Sequence, residues 1–286
     1  MSRSTISRLL QQARDEGVIE FVVHHTRDDV GPLRRALHER YGVESLIPRI
    51  AADVGEPLRR VAIGREAALW LSALVEPGTS LGVTWGSTVE AVSLQLQKNH
   101  VDGVRIVQVH GSANVEAIGV NYASRVLDRF GDAFDAPVHL LPLPTLFDSA
   151  ATREAMWRER SIKDALAIRR SVGLIVTSVG TSGSGRPSRL YQSGLLSQED
   201  TLELRDQQVV GNLASVFFRR DGSTDGISLN DRSTGIPFDE FREIPVRLFV
   251  VAGRQKAEAT RAVLAAGLVT HLVTDPETAV QILDTT

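Results

Sequence analysis

Four places along the chain put glycine beside small hydroxyl, amide or cationic residues directly after an apolar run. Gly86, Ser87 and Thr88 follow residues 80–85, and Gly111, Ser112, Ala113 and Asn114 follow 104–109 and His110. Gly180, Thr181, Ser182 and Gly183 follow 174–179, and Gly253, Arg254, Gln255 and Lys256 follow 246–252. These are residue types that hold anions. Glycine admits close backbone approach, free amides of a first helical turn point outward, and lysine supplies a point charge suited to phosphate. Lysine is scarce: Lys98, Lys163 and Lys256 stand among 32 basic residues, and Lys256 alone follows a predicted strand. A strand-to-helix turn needs glycine and a cap in any case, so one such turn carries little weight. Four that can converge on one sheet edge point to a phosphorylated small ligand.

Other chemistries fit less well. No Gly-x-Gly-x-x-Gly follows a strand, and the run from Gly180 to Gly185 leads into Arg186 and Pro187 instead of a helix. The chain holds no cysteine, which excludes a disulfide framework, a thiolate metal site and a cysteine nucleophile. His24 and His25 are adjacent, so on a strand they point to opposite faces and bind no common metal. No Gly-x-Ser-x-Gly elbow ends a strand, and Asp221, Asp225 and Asp231 read as turn formers. Glu116 and Asp148 could approach the crevice, but nothing in the sequence pairs them. No cofactor and no metal are expected.

Positioning these turns requires alternating strands and helices. Helices are predicted around Leu33, Leu37 and Tyr41, after Pro57, over 87–97, from Val115 to beyond Phe130, over 152–170, 255–266 and 276–283. Strands are predicted at 45–50, 80–85, 104–109, 138–141, 173–179, 246–252 and 269–274. The near-continuous apolar runs among them mark strands covered on both faces. That alternation predicts an α/β fold: a Rossmann-like, mostly parallel sheet with helices on both faces. Residues 181–235 are less regular and read as a lid-like excursion from the sheet. An apolar content of 42% with 23% charged residues permits a full core, and no apolar run reaches membrane-spanning length. A cytoplasmic protein is expected.

The opening residues carry a different signal. Ser2 can cap a helix whose Ile6, Leu9, Leu10 and Ala13 form one apolar stripe, and Gly17 ends it. The opposite face carries Arg3, Ser4, Ser7, Arg8 and Gln11, which suit phosphates and base edges. Residues 18–23 then run on as a short strand, like a wing. An amphipathic helix packed on the next domain fits the same periodicity. The net charge of -3 argues against nucleic-acid binding by the whole surface, though not by this local basic stretch.

Taken together, the chain resembles the SorC/DeoR-type sugar-binding transcriptional regulators of bacteria. The marks are SRSTISRLLQQARDEGVIEFVV, LGVTWGSTVEAV, VRIVQVHGS and LPLPTLFDS, then the run from LND to RLFVVAG and the closing LVTDPETAVQIL. The resemblance implies two parts: a partial winged helix-turn-helix in 1–24, and a phosphosugar isomerase/deaminase-like effector and oligomerisation domain in 25–286. It implies a phosphorylated sugar effector, operator DNA as partner, and a homo-oligomer, usually a tetramer. It also places Gly86, Ser87 and Thr88 at the phosphate with Lys256 as cation, and Gly111, Ser112 and Asn121 near the sugar. Gly180 and Gly253 belong to the same set of turns. Ser2, Arg3, Ser4, Thr5 and Arg8 would face the DNA groove. Family members carry further helices ahead of the recognition helix, whereas this sequence opens on it. The expectation is therefore weak or absent operator binding in this form. The alternative is a sugar-phosphate isomerase, deaminase or aldolase-like enzyme on the same fold, since fold does not fix function.

Overall fold

The computed structural model describes residues 30–51, 54–112, 120–182, 189–192 and 194–284. The sheet forms where the sequence is apolar without alternation. Strands β1 (Glu44–Leu46), β2 (Ser80–Val83), β3 (Arg105–Gln108), β4 (Val138–His139), β5 (Leu174–Thr177), β9 (Val246–Val251) and β10 (His271–Thr274) make one sheet. They lie in the order β1-β10-β9-β5-β2-β3-β4, all parallel. β2 and β5 are buried at every position, as strands with helices on both sides must be.

Two helical layers cover the sheet. On one face lie α2 (Glu56–Leu74), α3 (Ser87–Ser93) and α4 (Val120–Phe134), with Ile63, Leu71, Val92 and Phe130 packed on Leu81, Ile106 and Val250. On the other lie α1 (Gly31–Tyr41), α10 (Phe238–Arg242), α11 (Ala257–Ala265) and α12 (Pro276–Leu283), with Leu37, Phe241, Val263 and Ile282 packed on Ile175, Phe249 and Leu272. Pro57 opens α2 and Pro276 opens α12, where a missing amide costs nothing. The chain runs outward from β2 to β3 and β4, then returns to place β5 on the other side of β2. Their carboxyl ends therefore flank the switch point at which α/β sheets hold ligands.

The structure departs from the sequence expectation in the middle of the chain. The helix expected over 152–170 breaks at Glu159, whose extended ψ of 140° separates α5 (Ala150–Arg158) from α6 (Arg160–Arg170). Apolar spacing persists through such a break, so periodicity does not reveal it. Gly180 follows no helix start: it lies in β6 (Val179–Thr181), which pairs antiparallel with β7 (Val209–Leu213), itself paired with β8 (Val216–Arg219). The excursion is thus a second, three-stranded sheet, accompanied by α7 (Arg189–Gln192), α8 (Gln198–Asp206) and α9 (Ser228–Arg232). Phe217 and Phe218 are both fully buried on opposite faces of β8, one in the cluster of Leu190, Leu204 and Leu229, the other against Phe238. Among the described residues no helix is long and apolar enough to cross a membrane.

Candidate functional site

The carboxyl ends of β2 and β5 open into a cavity of about 340 Å³. The second sheet closes it from the other side. Its lining on the parallel-sheet side is Thr84 to Val89, His110, Ser178, Ala252, Gln255 and Lys256, joined by Glu56 and Arg60 from α2. From the second sheet and its flank come Val179, Gly180, Thr181, Leu190, Asn212, Ala214 and Ser215.

The cationic wall is built first by tying the two central strands together. The Thr84 amide donates to the Val176 carbonyl at 3.3 Å, and the Thr84 hydroxyl meets that of Thr177 at 3.2 Å. Beyond them the Glu90 amide returns to the Gly86 carbonyl at 2.8 Å, which starts α3. The amides ahead of Glu90, those of Ser87, Thr88 and Val89, have no intrahelical carbonyl to reach. Lys256 Nζ spans both strand ends, donating at 3.0 Å to Thr88 Oγ1 and at 3.0 Å to Ser178 Oγ. Burial pushes its ammonium down to about 8; Arg60 adds to this and Glu56 opposes it. Arg60 is ion-paired with Glu56 one helical turn back.

Lys256 is aimed by residues outside the lining. Gly253 stands at φ 103°, a region that L side chains rarely adopt, so the chain can turn sharply out of β9. Its amide donates to Asp275 Oδ2 at 3.0 Å and Thr278 Oγ1 at 3.1 Å. Asp275 is fully buried, caps α12 through the Thr278 amide at 3.0 Å, and lies 3.5 Å from Arg59 Nη1. The Lys256 carbonyl accepts from Thr260 Oγ1 at 2.7 Å, fixing the start of α11.

The end of β3 is built differently. Gly111 is a crossing point: its amide donates to Thr234 Oγ1 at 3.0 Å, and its carbonyl accepts from Trp85 Nε1 at 3.1 Å and Thr145 Oγ1 at 2.9 Å. A Cβ there would stand 2.3 Å from the Pro144 carbonyl oxygen, so only glycine fits. Trp85 stacks on His110 with ring centroids 5.0 Å apart. His110 is buried, and that burial, with the Arg169 charge nearby, lowers its imidazole to about 3. Gln108 Nε2 donates to the His110 carbonyl at 2.8 Å and to Ser112 Oγ at 3.1 Å.

Of the residues expected from sequence, Gly86, Ser87, Thr88, Gly180 and Lys256 come together around this one cavity. Gly111, Ser112 and Gly253 do not line it; they hold Trp85, Gln108 and the Lys256 turn in place. Asp148 does not line it either. Asn121 stands in the first turn of α4. Glu116 and the proposed DNA-facing Ser2, Arg3, Ser4, Thr5 and Arg8 lie outside the described residues. Sequence reasoning missed His110, Trp85, Ser178, Asn212, Ser215, Arg60 and Glu56. An acidic helix cap at Asp275 before Pro276 was readable, but its bond to Gly253 is not local.

Comparisons with known proteins identify the family and the fold. Residues 30–284 match the Sugar-bind family, a sugar-binding domain. The deoxyribonucleoside regulator of Bacillus subtilis is 27% identical over 98% of this chain and 88% of its own length. The transcriptional regulator LsrR of Klebsiella pneumoniae is 27% identical over 99% of this chain and 85% of its own. Among solved structures, a domain of a possible sugar-binding transcriptional regulator from Arthrobacter aurescens TC1 is 33% identical, with a TM-score of 0.85 over 91% of this chain and 100% of that one. The full-length sorbitol operon regulator SorC from Klebsiella pneumoniae shares the fold, with a TM-score of 0.85 at 21% identity over 99% of this chain and 90% of that one. This chain belongs to the sugar-binding domain family that these bacterial transcriptional regulators share.

Proposed function

We propose that this protein is a transcriptional regulator of carbohydrate metabolism and that its cavity binds a phosphorylated sugar effector. The observation that carries the reading is the bridge of Lys256 Nζ to Thr88 Oγ1 and Ser178 Oγ, 3.0 Å each, at the switch point of the sheet. It sets a cation beside the amides of Gly86, Ser87 and Thr88 and the Ser87 hydroxyl, which is the chemistry of a phosphate cradle. Relatives that match nearly the whole chain are regulators by name, which supports operator DNA as the second partner. Ser2, Arg3, Ser4, Thr5 and Arg8 are the residues proposed to face it. A cytoplasmic homo-oligomer, a tetramer, would couple the two sites: an effector that prefers one subunit arrangement changes operator affinity by that difference alone.

The enzyme alternative is less well supported. His110, the one histidine in the described lining, is held as a weak base near 3, poorly matched to proton transfer at neutral pH.

Thermal-shift titration tests the proposal. A ligand at 100 times its dissociation constant adds about 2.7 kcal/mol of stability. Sugar phosphates should stabilise the protein where the same sugars without phosphate do not. Equal stabilisation by phosphorylated and free sugars, or by neither, would sink the phosphate reading.

A further inference from the structure

The cavity has a second wall, and one of its groups is unsatisfied. Six buried side-chain nitrogen or oxygen atoms among the described residues have no hydrogen-bond partner, and His110 Nε2 is the only one on a residue that lines the cavity. Buried polar groups are otherwise paired as a rule, so such an atom asks for an explanation. Its other ring nitrogen is engaged: Nδ1 lies 3.2 Å from Ser215 Oγ. The Ser215 hydroxyl has no other acceptor among the described residues. If that hydroxyl donates to Nδ1, the ring proton lies on Nε2. In that tautomer the neutral ring presents Nε2 as a donor.

Ser215 is held where it is at a cost in backbone strain. The turn from β7 to β8 passes through Ala214 at φ 47° and Ser215 at φ 72°, conformations that favour glycine or asparagine. Two contacts clamp it. Ser233 Oγ donates to the Ser215 carbonyl at 2.7 Å, and Gly235 packs so closely that a Cβ would stand 2.4 Å from the Ala214 carbonyl oxygen. Both strained residues line the cavity. Strain of this kind persists at sites where it aims a functional group. Around it Thr181, Asn212 and Ser215 add uncharged polar groups, in contrast to the Lys256 side.

We infer that Ser215 directs its proton to Nδ1 and that His110, a donor through Nε2, recognises an uncharged oxygen of the ligand, a sugar hydroxyl or carbonyl, and so selects among sugars that carry the same phosphate. The inference rests on the effector reading of the cavity. Nε2 is buried on a residue that lines the cavity, so a ligand oxygen that pairs with it does so out of reach of bulk water. A single directed donor discriminates by the presence or absence of an acceptor, the strongest kind of polar selectivity. Ser215 is a positioning residue: it fixes which nitrogen carries the proton.

Calorimetric titration of wild type, His110→Phe and His110→Gln tests it with four probes: inorganic phosphate, glucose 6-phosphate, fructose 6-phosphate and ribose 5-phosphate. Inorganic phosphate should bind wild type and His110→Phe alike, which also shows that the variant is folded. At least one sugar phosphate should bind wild type more tightly than phosphate does, and His110→Phe should lose roughly tenfold of that advantage or more. The amide of His110→Gln should restore part of it. Nitrogen-15 spectra should show the proton on Nε2 in wild type and a mixture of tautomers in Ser215→Ala. An undiminished sugar advantage in His110→Phe, a proton on Nδ1, or no sugar phosphate outbinding phosphate would each overturn the inference while leaving the cradle standing. Failure of phosphate and sugar phosphates alike to bind wild type would overturn the effector reading, and this inference with it.

Discussion

The two walls of the cavity hold polar groups by opposite means. On the parallel-sheet side, Lys256 is reached through a chain of satisfied bonds: Asp275 to Gly253, Thr260 to the Lys256 carbonyl, and Nζ to Thr88 and Ser178. On the antiparallel side, Ser215 is held by a strained two-residue turn and meets a histidine whose other nitrogen is unpaired. The first wall holds its cation by satisfied bonds and offers charge. The second is incomplete and offers direction. A charge attracts any anion of suitable size, whereas a directed neutral bond separates ligands that share the anion. On the proposed reading the molecule divides affinity from selectivity between two sheets that share one hydrophobic cluster, in which Val179, Leu213 and Phe218 of the second sheet join Ile175 and Phe249 of the first.

The largest expected effect comes from the residue that joins the walls. Gly111→Ala would drive a methyl group into the Pro144 and Leu143 carbonyl oxygens, 2.3 and 2.4 Å away, while Gly111 also anchors Trp85 and Thr145. A loss of about 3 kcal/mol or more is expected, read as a lowered denaturation midpoint. A variant as stable as wild type would mean that the two walls are mechanically independent.

Next is Lys256→Ala, which should weaken sugar-phosphate and inorganic-phosphate binding together by roughly 1.5–3 kcal/mol, the scale of a charge-assisted bond, with the fold intact. Equal effector stabilisation of mutant and wild type would remove Lys256 from the ligand and erase the contrast between the walls.

The pH dependence sharpens the same point. Lys256 titrates near 8 in the fold against 10.5 when unfolded, so between these values the unfolded chain binds more protons than the native one. Its contribution to stability therefore rises with pH across that window, while its hold on an anion weakens as pH climbs through about 8. Phosphate affinity measured from pH 7 to pH 9.5 should fall in wild type and stay nearly flat in Lys256→Ala. A parallel decline in both would place the titrating group elsewhere.

The smallest expected effect is on the second wall. Ala214→Gly relieves a positive φ of 47° and should stabilise the protein by about 0.5–1 kcal/mol in chemical denaturation, with phosphate affinity unchanged. Destabilisation would show that the Ala214 methyl packs more usefully than its backbone is strained.

The family, the α/β class and the cationic half of the site were legible in the chain. Residues 174–177 and 246–251 are apolar runs that only a doubly covered sheet can bury, and glycine after each strand with one scarce lysine marked the anion side. Gly111 and Ser112 were readable as special but not in their role, because what requires Gly111 is the carbonyls of Leu143 and Pro144, more than thirty residues away. The break at Glu159 and the pairing of β6 with β7 escaped pattern reading for a similar reason. A helical period continues across a kink, and a strand's partner is set by the tertiary path rather than by its own residues.

Sequence by itself therefore determined where strands run, where they turn and which turns favour an anion, because these depend on neighbours a few positions apart. Only the tertiary structure decided that Lys256 meets Thr88 and Ser178, that Asp275 holds the Gly253 turn ahead of it, and that Ser215 meets His110. Those contacts span 22 to 168 positions of chain, and hydrogen bonds act only within about 3.5 Å, so nothing local encodes them.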